Sequence, residues 1–223
     1  MWKALFYKEW IKTRRSVMLA AAAMAGLAVY TFIDSSQDFR VFGAVQVWNA
    51  VITKDAPLVP VFMQWLPALV AVLLSLSQFV PEMTDKRLKL TMHLPMNEGR
   101  ILSALLCYGI AVLASLYLLT GAALAAGFSA VYPPEIVSGM VWRTLPWFMG
   151  GLCAYLLTAW ICLEPVWKHR IMNALGAACL CSLFFLGGVS GAYKPFMPYL
   201  AVFALSCFAF PFLSAARFKE GAQ

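Results

Sequence analysis

Long stretches of this chain carry no ionisable side chain at all. Only 12% of its 223 residues are charged, while 62% are hydrophobic. A soluble domain carries about twice that charged share, so the scarcity argues against a water-soluble globular fold. Histidine is nearly absent: His93 and His169 both fall in polar loops, which argues against a histidine-ligated haem inside an apolar bundle. No G-x-x-x-x-G-K-[ST] phosphate loop occurs, so the chain is expected to hydrolyse no nucleotide and to be no enzyme by itself. Period-two alternation is missing as well, which excludes a transmembrane barrel. The six cysteines all lie in apolar runs and read as small buried hydrophobes, not as a disulfide framework. Cys179 and Cys181, two apart, do not share a helix face. The 11 methionines are scattered, which argues against a copper relay.

What is present is apolar sequence in six blocks: 16–33, 59–80, 101–131, 144–163, 171–191 and 196–213. Each reaches the roughly 17 residues needed to cross a bilayer core, and in lipid such segments must be helices. The third is longer than a crossing requires and is expected to tilt or protrude. None of the six contains Asp, Glu, Lys, Arg or His, so ion-coupled transport lacks the intramembrane carboxylate it normally needs. The expected fold is all-α and integral to the membrane: six transmembrane helices after an interfacial helix at 1–15, in one transmembrane domain over 1–223.

Lysine and arginine are split 13 to 4 between alternate loops, which predicts cytoplasmic termini. That distribution accounts for the net charge of +7 without a nucleic-acid partner. The first run, at about 18 residues, exceeds the 7–15 of a signal peptide and reads as a span. Before it, Trp2, Phe6 and Trp10 recur at helical spacing against cations such as Lys12, a pattern for a helix lying on membrane lipid. Gly187 and Gly191, four apart, are candidates for close helix packing and a dimer seam.

One charged stretch interrupts the apolar sequence, "PEMTDKRLKLTMHLPMNEGR". Glu82 and Asp85 suit the N-terminal end of a short helix, where the dipole favours anions. Leu88 with Met92, and Leu90 with Leu94, form i,i+4 apolar pairs, and Pro95 ends the helix. A solvated loop that only sets topology needs the cations but not this ridge. The segment 81–97 therefore reads as a cytoplasmic docking element.

Together with the "FYKEWIKTRRS" start, the stretch "LSQFVPEMTDKRLKLTMHLPMNEGRIL" resembles the ATP-binding-cassette type-2 permeases. In that family an acidic residue ends the second span, followed by a short helix with a leucine pair, a proline and the third span. Glu82, Leu88, Leu90, Leu94 and Pro95 match in order. Lysine or arginine near Lys86 and Arg87 replaces the usual glycine, and the short "SGAYKPFMPY" link replaces the extracellular helices of many relatives. The resemblance implies a multi-pass permease subunit of an exporter in a bacterial cytoplasmic (inner) membrane. It implies a homodimer or a heterodimer with a second permease. Separate ABC ATPase subunits would bind ATP and Mg and dock on 82–94, with no cofactor in this chain. Two alternatives stand beside it: a mechanotransmitting or assembly subunit driving a periplasmic partner, and an integral-membrane thiol or lipid enzyme.

Overall fold

The computed structural model describes residues 2–84 and 98–219, and among them there is no strand. The helices are α1 (Trp2–Phe42), α2 (Ala44–Lys54), α3 (Phe62–Thr84), α4 (Glu98–Ser129), α5 (Pro134–Leu163), α6 (Trp167–Ser182), α7 (Met197–Ser206) and α8 (Phe210–Lys219). Short 3₁₀ turns at Lys194–Phe196 and Cys207–Ala209 make the last stretch nearly continuous.

The first correction concerns α1. The expected interfacial helix and first span are one uninterrupted helix of 41 residues. Nothing in it stops a helix: there is no proline and a single glycine, Gly26. At about 1.5 Å per residue it reaches about 60 Å, roughly twice a bilayer core. Its buried stripe is Leu5, Glu9, Thr13, Val17, Ala20, Met24, Ala28, Thr31 and Ser35, spaced by three or four. That stripe packs on α3 and α4. Gly43, at φ +79°, breaks the helix and allows α2 to fold back.

The hub is α5, which packs most extensively on α3 and also touches α4, α6, α7 and α8. Fully buried Tyr155 donates to Gln78 Oε1 at 2.8 Å, Gln78 Nε2 donates to the Leu105 carbonyl at 2.9 Å, and Ser75 Oγ to the Tyr155 carbonyl at 3.0 Å. These bonds tie α3, α4 and α5 where water offers no competing partner. Tyr117 stacks on Phe148, with centroids 5.2 Å apart and planes 10° apart, and donates to the Pro67 carbonyl at 2.7 Å. Both tyrosines need bare backbone beside them: a Cβ on Gly109 would collide with the Tyr155 ring, and one on Gly151 with Tyr117.

Among the described residues, five segments are long and apolar enough to cross a membrane: Trp2–Phe42, Phe62–Thr84, Gly99–Ser129, Pro134–Leu163 and Lys194–Arg217. The expected span 171–191 is not one continuous helix. Its helix, α6, has 16 residues and ends at Ser182, about 24 Å by the usual rise. Gly187, Gly188 and Gly191 follow in a loop, with Gly191 at φ +74°. Even so, the chain from 167 to 190 joins opposite ends of the bundle. His169 lies 3.6 Å from Glu164, while the Ser190 amide donates to Asp55 at 2.8 Å. Backbone left unpaired by the broken helix is met by side chains. Gln64 donates to the Phe185 carbonyl at 3.0 Å, Arg143 to that of Gly188, and Tyr193 to that of Leu183 at 2.7 Å while accepting from Gly187 N. Irregular backbone persists at membrane depth only when it is satisfied in this way.

At the Asp55 end, Tyr132 shares a hydrogen bond of 2.9 Å with Ser35 and packs on Phe39. Burial pushes its phenol above the ordinary value, partly offset by the Ser35 bond, with Asp38 adding to the rise.

Candidate functional site

Where α1 passes the end of α3, four charged side chains meet. Glu82, 1% exposed, sits in the last turn of α3, three residues before the stretch 85–97. Glu9, 0% exposed, faces it from the buried stripe of α1. Lys12 Nζ lies 2.9 Å from Glu82 Oε1 and 2.8 Å from Glu9 Oε2, bridging both acids. Lys8 Nζ lies 3.0 Å from the same Glu82 oxygen and 4.0 Å from Glu9 Oε1. Among the described residues, two negative and two positive groups offset one another there.

An isolated buried carboxylate costs several kcal/mol, and only close opposite charges offset it. The i,i+3 step from Glu9 to Lys12 and the i,i+4 step from Lys8 to Lys12 put all three on adjoining faces of one helix. Lys8 stays 40% exposed, whereas Lys12 is drawn in to 13%. One turn further, Thr13 Oγ1 donates to the Glu9 carbonyl at 2.9 Å and shares a 2.7 Å bond with Tyr108 of α4. Phe6 meets the same Tyr108 edge-on at 5.6 Å. The root of the 85–97 stretch is thus fastened to α1, and α1 to α4.

Of the residues singled out in the sequence, Glu82 and Lys12 come together, but Lys12 serves as a buried counter-ion and not as a lipid-facing cation. Trp2 and Trp10 are each 45% exposed, and Phe6 is half-buried against α4. Asp85, Leu88, Leu90, Leu94 and Pro95 lie outside the described residues. Gly187 and Gly191 lie past the end of α6, so neither sits on a helix seam: Gly187 abuts the Tyr193 ring within its own loop, and a Cβ on Gly191 would meet nothing within 4 Å. Gly109 and Gly151 take the close-packing role instead.

Glu9 was missed because it reads as one more polar residue in a charged flank. The available signal was its spacing from Leu5, Thr13 and Val17, four residues at a time. Glu164 was missed as well. It ends α6's preceding helix α5 fully buried, and its Oε2 accepts from Ser214 Oγ, from Asn173 Nδ2 at 3.4 Å and from Arg217 Nη1 at 3.4 Å. Arg170 donates to its carbonyl at 2.7 Å. This third buried carboxylate docks α8 on the α5–α6 corner.

The thiols form no comparable centre. Cys153 and Cys207 are buried with Sγ atoms 3.9 Å apart, and Cys179 is exposed while Cys181 is half-buried. Among the described residues no group of three or more His, Cys, Asp or Glu side chains could hold a metal ion. The arrangement at Glu82 is suited to holding elements together and passing displacement between them.

No family model, curated protein or solved structure matches this chain.

Proposed function

We propose that this chain is the permease subunit of an ATP-driven exporter in a bacterial inner membrane, crossing six times with both termini in the cytoplasm. It pairs with a second permease, identical or not, and separate ATPase subunits bind ATP and Mg and dock on residues 82–94. The observation that carries the reading is the ion-paired root at Glu82. A displacement applied between Thr84 and Glu98 reaches α3 and α4 directly, because both helices end there. It reaches α1 through Lys8 and Lys12. α1 is one rigid helix of 41 residues, so movement of its start is carried to the far end of the bundle. Coupling of this kind needs discrete packed elements and not a compliant loop.

The test is recovery of the ATPase subunit with mutant permease. Leu88→Asp with Leu90→Asp places charge in a desolvated contact, at a cost of several kcal/mol. Recovery of the ATPase should collapse while membrane insertion persists. Lys86→Gln with Lys89→Gln changes the rim and should be milder. Undiminished recovery with the leucine pair replaced would refute the docking role.

A further inference from the structure

At the end of the bundle away from Glu82, a cavity of about 490 Å³ lies between the last turn of α2, the start of α5 and Ser190. That size is within the roughly 300–1,000 Å³ of small-ligand sites. Ile52, Leu58, Ile136 and Met140 give it apolar walls, and Asp55, Glu135, Arg143 and Ser190 are its polar groups. Most of these are already committed. Asp55 Oδ2 accepts from the Ser190 amide at 2.8 Å and lies 3.7 Å from Arg143 Nη1. Arg143 donates through Nη1 to the Asp55 carbonyl at 3.3 Å and through Nη2 to that of Gly188. Glu135 is exposed and has no hydrogen bond or ion pair among the described residues.

With Asp55 and Glu135 against Arg143 alone, the lining carries one net negative charge. An anionic head group would face two carboxylates, with the guanidinium already turned to two carbonyls. An ammonium would meet a free carboxylate at the rim, with apolar wall beneath it for a hydrocarbon tail. The position is also telling. Ser190 belongs to the broken stretch after α6, and interrupted membrane helices are where transporters build binding sites.

We propose that this cavity binds a single-chain amphiphile with a primary ammonium head, its ammonium on Glu135 and its tail along Ile136, Met140 and Leu58. The site belongs to this chain alone and stands apart from the exporter reading, so its test needs no ATPase. The purified chain in phosphatidylcholine nanodiscs would be titrated with dodecylammonium, dodecanoate or dodecanol, counting bound molecules by native mass spectrometry. The expected result is one saturable equivalent of dodecylammonium, held about two- to fivefold more tightly than either comparator, the scale of one solvated ion pair. Glu135→Gln should abolish the preference over dodecanol. Ile52→Trp, at a position 70% exposed, should narrow the mouth and weaken dodecylammonium and dodecanol alike. Both substitutions sit at the surface, so the fold is retained. Absence of a saturable equivalent, dodecanoate bound as tightly as dodecylammonium, or unchanged binding in Glu135→Gln would each overturn the proposal.

Discussion

Lys8 and Lys12 reach the same oxygen of Glu82, but they do different work. Lys12 is 13% exposed and bridges two buried acids, whereas Lys8 is 40% exposed and keeps much of its hydration. Removing the buried partner leaves two buried carboxylates to Lys8, 3.0 Å from Glu82 but 4.0 Å from Glu9, a change worth about 3 kcal/mol or more. Removing the exposed one loses about 1 kcal/mol at most. Lys12→Met should therefore destabilise the detergent-solubilised protein much more than Lys8→Met, read from the denaturant midpoint at constant slope. Adding Glu82→Gln to Lys12→Met should recover part of the loss, because Lys8 then serves one carboxylate, Glu9, and not two. Equal effects of the two lysine substitutions would show that the cluster is solvated and not structural. The sequence made Glu82 visible as an acid at the end of an apolar run. Its partners were not visible, because pairing Glu82 with residues 70 and 74 positions earlier depends on how α1 lies against α3.

At the scale of elements, each apolar run falls on helix, but α2 (Ala44–Lys54) lies outside them all, and the runs said little about where each helix breaks. α1 ran on through its charged start because amphipathic and apolar sequence are equally helical when no proline or glycine intervenes. α6 stopped at Ser182, and beyond it Gln64, Arg143 and Tyr193 offer the loop other hydrogen-bond partners. Hydropathy registers neither effect. Small residues show the same limit: spacing marked Gly187 and Gly191, whereas the tight contacts between helices include Gly109, Gly127 and Gly151, chosen by which aromatic ring lies opposite. Gly151→Leu should force Tyr117 off Phe148 and cost about 3 kcal/mol, the upper range for overpacking, with loss of the sharp thermal transition. Gly26→Leu is the control, since a Cβ there meets nothing within 4 Å. It should leave the melting temperature of the single chain within a degree or two of wild type. If both substitutions were tolerated, the Tyr117–Phe148 stack would not be a fixed part of the core.

For the whole molecule, the decisive matter is whether the short α6 still carries the chain across the membrane. Helix length alone argues against it, since 16 residues fall short of the usual 20 or so. The connections argue for it. Glu164 and His169 sit at the end of the bundle that holds Glu82, while Ser190 is bound to Asp55 at the other. The seven residues between Ser182 and Ser190 would make up the missing distance in a looser backbone, whose polar groups neighbouring side chains satisfy. The cation split of 13 to 4 depends on this crossing, because the basic residues of α8 fall on the cytoplasmic side only if 167–190 traverses. Single cysteines at exposed positions would decide it: Thr53→Cys on α2, Ala192→Cys beyond α6, and Lys168→Cys at its start. A membrane-impermeant maleimide should label Thr53→Cys and Ala192→Cys in intact cells, above the background of the native thiols. Lys168→Cys should react only after permeabilisation. If Ala192→Cys and Lys168→Cys reacted from the same side, α6 and its loop would be a re-entrant hairpin. The last helix would then reverse direction, placing the C-terminus opposite the Glu82 cluster and removing α8 from the face on which an ATPase would dock.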